Sequence, residues 1–305
     1  MDFNFVQSYS SLSDSVERIR NLWLEAIINL KVNGSETKSN GEKFRNGQEA
    51  QSSLIRSQIL INQIHEFVKR ELIYYGINEN DIFPPLGSSK PEIKINGYFK
   101  SKNQDVSVVP SLIENKKELI TWGTDTHSNK YSLYGREKEE KILMINIRSQ
   151  MSSVNKNIDT LFERMIAEGL NLHMQYPTAV TGELYMIPVY EFLDKDMREN
   201  KVSYSKKQTN IAKFIEFFSY LNNYRAHKEM KYKYNKCGLI IVDFQKETPK
   251  IYTNTDELKQ DNLVPKDFSY ELDDLSPVKF VYNLLSEYQL HYKKYELRTK
   301  SNEFY

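Results

Sequence analysis

Cysteine occurs once in 305 residues, as Cys237, so the chain can build neither an internal disulfide nor a cysteine-rich zinc site. Cys237 stands beside Gly238 at the head of the apolar run GLIIVDF, surroundings that suit a buried structural thiol rather than a nucleophile. Histidine is also scarce: five are scattered without HxxxH or HxH spacing, which argues against a histidine-built zinc centre. No run approaches the roughly eighteen apolar residues that a membrane-spanning helix needs. The opening stretch MDFNFVQSYSSLSDSVERIR lacks a basic region followed by a long apolar segment. It does not read as a signal peptide, and a cytoplasmic address is the default expectation. An excess of one charge is missing too, since 42 Lys and Arg against 41 Asp and Glu leave +1. That balance does not exclude nucleic acid: acids that hold a metal and bases that hold phosphate cancel in the sum, so local distribution decides.

What is present suffices for a core. Hydrophobic residues make up 39% and aromatic ones 12% of the chain. The first third has helical spacing. SLSDSVERIRNLWLEAIINLKVNG places Val16, Ile19, Leu22, Leu24, Ile27 and Ile28 on a helical stripe, with Ser13 or Asp14 as candidate cap. A polar loop, SETKSNGEKFRNGQEAQ, separates it from a second amphipathic helix that ends at Gly76.

The period then changes. PEIKINGYFK, DVSVVP, ELITWG, NKYSLYG and KILMINIR are short β-branched or aromatic segments divided by turn residues. In the last, Ile145 and Ile147 fall on one face, and Met144, Asn146 and Arg148 on the other. The next segment carries Ile158, Leu161, Phe162, Met165, Ile166 and Leu170 at helix spacing, making a strand–turn–helix unit. GELYMIPVYEF and CGLIIVDF with PKIYTN predict further strands. SKKQTNIAKFIEFFSYLNNYRAHKEM and SPVKFVYNLLSEYQLHYKKYEL predict helices. The expected fold is α/β (α+β): a central mixed sheet flanked by helices, with a helical segment over residues 1–80 packed on a core over 81–305.

The parts for metal-dependent phosphodiester hydrolysis appear in order. Such a site needs carboxylates to hold a divalent cation and a basic or polar group to orient the phosphate. Asp105 opens one strand. Asn146 and Arg148 project from one face of a later strand, with Ser149 and Gln150 following. Asp159 and Glu163 then lie a turn apart on the next helix. Glu183, early in another strand, is a further carboxylate that could assist metal binding, whereas Glu191 and Asp194 read as strand-end solvation.

The runs EIKINGYFKSKNQDVSVV and ILMINIRSQMSSVNKNIDTLFERMIAEGLNLH together resemble the core of the PD-(D/E)xK restriction endonucleases, in particular the XhoI-like group that cuts CTCGAG. Gly97, Tyr98 and Phe99 match a GYF-type strand, Lys100 and Lys102 a basic loop, and Asp105 the metal-binding aspartate. Ser149 and Gln150 match a Ser-Gln pair, Asn155 and Asn157 an Asn-rich turn, and Glu163 a helix glutamate. Asn146 and Arg148 stand where that family has Glu and Lys. Asparagine is a poorer metal ligand, and arginine stays charged and cannot act as a base. Three explanations follow: Glu163 replaces the strand carboxylate, Gln150 or Arg148 takes over phosphate orientation, or catalysis has been lost and DNA binding kept. A rival frame within the chain is Glu92-Ile93-Lys94, with Glu66 or Glu71 as its earlier acid.

The resemblance implies a magnesium-dependent type II restriction endonuclease acting on double-stranded DNA as a homodimer. Asp105 and Glu163 would hold Mg2+, Asn146 would lie near the metal, and Arg148 and Gln150 would face the phosphate. Lys100, Lys102, Asn155 and Asn157 are the DNA-contact candidates of this core. Arg225 and Lys228 join them from the basic tract YRAHKEMKYKYNK. The alternative is a nuclease-fold DNA-binding protein without cleavage. His173 reads as a helix C-terminal cap, and Trp122 with Asp125 as a hairpin tip.

Overall fold

A computed structural model describes residues 5–292. Three helices come first: α1 (Val6–Asn29), α2 (Gly47–Arg56) and α3 (Ile59–Tyr74). The short strand β1 (Ile82–Phe83) follows, then a hairpin of β2 (Ile93–Asn96) and β3 (Ser101–Gln104), and β4 (Val106–Val108). A second hairpin, β5 (Glu118–Leu119) with β6 (Tyr131–Ser132), and the short α4 (Arg136–Glu139) lead to β7 (Leu143–Ser149). Helix α5 (Val154–Gln175) crosses to β8 (Thr181–Pro188). Next come β9 (Tyr190–Phe192), α6 (Asp194–Met197), β10 (Tyr204–Gln208) and α7 (Ile211–Leu221). The chain continues through β11 (Lys236–Asp243), β12 (Lys250–Tyr252), α8 (Thr255–Gln260) and α9 (Pro277–His291).

The described residues form one six-stranded mixed sheet in the order β1-β4-β7-β8-β11-β12. Its centre, β7-β8-β11, is parallel, and the strands on either side run antiparallel. Parallel neighbours require a crossover, and α5 supplies the one from β7 to β8. Alternation along the strands divides two cores. Ile145, Ile147, Leu184, Met186, Ile240 and Val242 face α1, α2, α3 and α9. Tyr185, Ile187, Leu239 and Ile241 face α5 and α7. The mixed sheet flanked by helices is thus the expected fold class. Among the described residues no helix is long and apolar enough to cross a membrane.

Several local expectations are corrected. Helix α1 starts at Val6, so Ser13 and Asp14 lie inside it rather than at its cap; Leu12 extends the buried stripe toward the N-terminus. The second predicted helix is two, broken where Gln58 takes a positive φ of 62°. The GYF run is no strand but the turn between β2 and β3. SKKQ belongs to β10, and Asn210 caps α7 by accepting from Lys213 N. The last helix ends at His291, and the part of its predicted span from residue 293 onward lies outside the described residues.

Candidate functional site

The site forms where three neighbouring strands present polar side chains to the α5 face of the sheet. In the parallel register Asn146 of β7 stands opposite Glu183 of β8. On the other side of β7, Val106 pairs with Ile145, so the antiparallel register brings Asp105, one residue earlier, opposite Asn146. One row therefore runs Asp105, Asn146, Glu183 across strands spaced about 4.8 Å apart. Cys237 of β11 continues the row, since it pairs with Glu183. Asp105 is fixed by its Oδ2, which accepts from Ile147 N at 2.8 Å.

Two cations and a second glutamate complete the cluster. In β3, Lys102 stands opposite buried Ile95, so its side chain turns inward. Its Nζ donates to Asn146 Oδ1 at 3.0 Å and to Glu168 Oε2 at 2.6 Å. Arg148 donates from Nη2 to that same Glu168 oxygen. Arg148 Nε also lies 2.8 Å from Glu183 Oε1. That contact is an ion pair by distance but lacks hydrogen-bond direction, so both Glu183 oxygens are buried without a hydrogen-bond donor.

Electrostatics follow from this crowding. Burial, and then repulsion by Arg148, push the Lys102 amine down to about 8. Burial raises the Glu183 carboxyl, against the pull of Arg148 and Lys102. Burial opposes the charge on Arg148 most strongly, but Glu183, Tyr234, Asp105 and Tyr185 together outweigh it and the net shift is upward. His65, on α3, feels Asp105 as well; burial lowers its pKa, and its buried Nε2 has no hydrogen-bond partner.

The expected site residues divide. Asp105, Asn146 and Arg148 come together, and Lys102 joins them as a half-buried member of the cluster rather than a surface contact. Glu163 does not join: it is exposed on α5, and five residues of helix turn it roughly 140° away from Glu168. Glu168 lies in the buried stripe between Met165 and Leu172; a glutamate inside an apolar stripe was the available sequence signal. The Gln150 amide donates locally to Ser152 O. Asn155 ties α5 to the segment before α7, donating to Gln208 O at 3.2 Å and accepting from Asn210 N at 2.8 Å. Asn157 is half-buried in the first turn of α5, and Lys100 is exposed in the β2–β3 turn. Arg225 and Lys228 lie in the loop before β11, where Arg225 pairs with Glu287 of α9 at 3.6 Å.

Other readings also change. Glu191 is not mere solvation: it caps α5 by accepting from Ser153 N at 2.6 Å and Val154 N at 2.9 Å. His173 is no charged cap, for burial lowers it to about 4. In the rival frame Lys94 is exposed, Glu66 pairs with Lys69 and Glu71 accepts from Ser8. These groups do not converge. Cys237 is a buried free thiol, as its surroundings suggested.

Whether the cluster suits magnesium can be judged from its donors. The orphaned oxygens of Glu183, beside Asp105 and the Asn146 carbonyl, are hard oxygen ligands of the kind that ion takes. Among the described residues no three acidic, histidine or cysteine groups converge on one point. Magnesium commonly uses only one or two carboxylates, with waters and substrate phosphates completing its shell, so the two available fit. Comparison with known proteins gives no significant match to a family model, a curated sequence or a solved structure.

Proposed function

We propose that this chain is a magnesium-dependent endonuclease of the type II restriction class, hydrolysing phosphodiester bonds in double-stranded DNA. The observation that carries the reading is the row Asp105–Asn146–Glu183, flanked by Lys102 and Arg148 on one face of the sheet. The order of a helix, three antiparallel strands, a crossover helix and a parallel strand supports the resemblance to the PD-(D/E)xK core.

In this reading Asp105 and Glu183 hold the ion, and the exposed Glu163 gives up the role that the sequence suggested for it. Bound magnesium would supply water activation and stabilise the departing oxygen. Arg148 stays charged, so it orients and neutralises the phosphate rather than accepting a proton. Asn146 keeps the Lys102 ammonium over the row. The reaction joins a water oxygen to phosphorus, breaks the ester P–O bond and leaves a proton on the departing oxygen. A homodimer would match a palindromic site by its own two-fold symmetry.

A binding-only protein on the same fold is favoured by one observation: Lys102 and Arg148 already neutralise Glu168 and Glu183 internally. Incubation of the protein with phage DNA and magnesium, beside Asp105→Ala, separates the two. Discrete fragments that vanish in the variant support the endonuclease. Intact DNA with magnesium and with manganese overturns it.

A further inference from the structure

Glu168 has an unusual position between the two cations. Its Oε2 accepts from Lys102 Nζ at 2.6 Å and also from Arg148. Each cation has a second partner of its own: Lys102 rests on Asn146 at 3.0 Å, and Arg148 lies 2.8 Å from Glu183. Removing Glu168 would therefore leave both cations in place, converging on the space its carboxylate had filled. The two cations themselves are within reach from outside. Both cations keep part of their side chains exposed. Arg148 also lines an open cavity of about 290 Å³, walled by Ile61, Gln150, Leu161, Arg164 and Tyr185.

We infer that Lys102 and Arg148 form a receptor for a phosphate oxygen of the nucleic-acid backbone, and that Glu168 occupies it from within until the phosphate displaces it. The inference rests on the nucleic-acid reading above and assigns Glu168 a role there, as an internal stand-in for substrate. The exchange replaces one anionic oxygen by another on the same donors. Charge-assisted bonds to carboxylate and to phosphate have similar geometry and strength. Glu168 is thus a positioning residue whose removal strengthens DNA binding.

The test is fluorescence anisotropy of a labelled DNA duplex with the full chain in EDTA, which prevents cleavage, over a salt series. Glu168→Gln is compared with Glu163→Gln, which removes one charge from an exposed position of the same helix. The expected result is binding about tenfold tighter for E168Q than for E163Q, the size of one charge-assisted hydrogen bond. The salt dependence of E168Q should stay close to that of wild type, because the same phosphate contact is made in both. Adding Lys102→Met to E168Q should cancel the gain in affinity. Glu168→Asp keeps the charge but withdraws it by one methylene, and it should also bind more tightly than wild type, which guards against a folding defect in E168Q. Wild-type binding that neither Glu168 variant strengthens beyond E163Q overturns the inference and spares the nucleic-acid reading. Absence of binding by all the proteins at low salt overturns that reading and the inference with it.

Discussion

Glu183 of β8 stands directly opposite Asn146 of β7 in the parallel register, on the same face of the sheet. Position 146, a neutral amide, thus has a carboxylate beside it on the neighbouring strand. Burial raises the Glu183 carboxyl, so a nearby positive charge is needed to keep it ionised.

Glu183→Gln is therefore expected to abolish magnesium-dependent cleavage, while Glu163→Gln leaves it within about twofold. The loss should exceed the roughly 10–100-fold that even outer partners of a metal ligand cost. Initial cleavage rates over a magnesium series measure both. A large loss in Glu163→Gln with little loss in Glu183→Gln would return the metal role to the helix glutamate and remove it from β8.

Part of this site was legible in the sequence and part was not. Strand alternation placed Asn146 and Arg148 on one face, and the strand–turn–helix spacing located α5. Asp105 at the head of an apolar strand was visible for the same reason. The register between β7 and β8 was not visible, because the length and docking of α5 set it rather than any local pattern. Glu183 could be noticed as a carboxylate but not placed beside Asn146. Similarly, Glu163 and Glu168 both lie on α5, and only its packing tells which one faces the sheet. Lys102 seemed a loop residue because the GYF run resembled a strand, which displaced the turn by several residues.

The β2–β3 turn that presents Lys102 depends on Asn171 of α5. Asn171 Oδ1 accepts from Phe99 N at 2.7 Å and Lys100 N at 3.1 Å, and its Nδ2 donates to Lys100 O at 3.1 Å. Gly97 permits this approach: a Cβ there would lie 2.3 Å from Asn171 Nδ2. Asn171→Ala should cost about 1–3 kcal/mol, since it leaves turn groups without partners. Gly97→Ala should destabilise as well, by forcing the amide aside. In the Asn171→Ala background, however, the added methyl has room and should cost much less. Urea unfolding of the two single variants and the double variant reads this coupling. Simple additivity would mean that the amide does not hold the turn.

A pH-dependent contribution to stability lies away from the row, at His173. His173 is fully buried and stacks on Tyr224 with ring centroids 3.7 Å apart. Its Nδ1 faces Lys231 O at 3.3 Å, and its Nε2 faces Thr181 Oγ1 at 3.3 Å. A neutral ring with the proton on Nδ1 satisfies both: it donates to the carbonyl and accepts from the hydroxyl. Burial accordingly lowers the folded pKa to about 4 from the ordinary 6.5. The unfolded chain then takes up the proton first as pH falls. The stability owed to the neutral ring is complete above 6.5 and declines as pH drops toward 4. Between about pH 7.5 and 5 the loss should be about 2 kcal/mol. His173→Phe keeps a flat ring over Tyr224 but cannot titrate. Although less stable at neutral pH for want of two hydrogen bonds, it should lose about 2 kcal/mol less than wild type across that interval. Urea unfolding of both proteins at the two pH values measures the difference. Parallel losses would show that His173 is already protonated in the folded chain or that the ring is not buried as described.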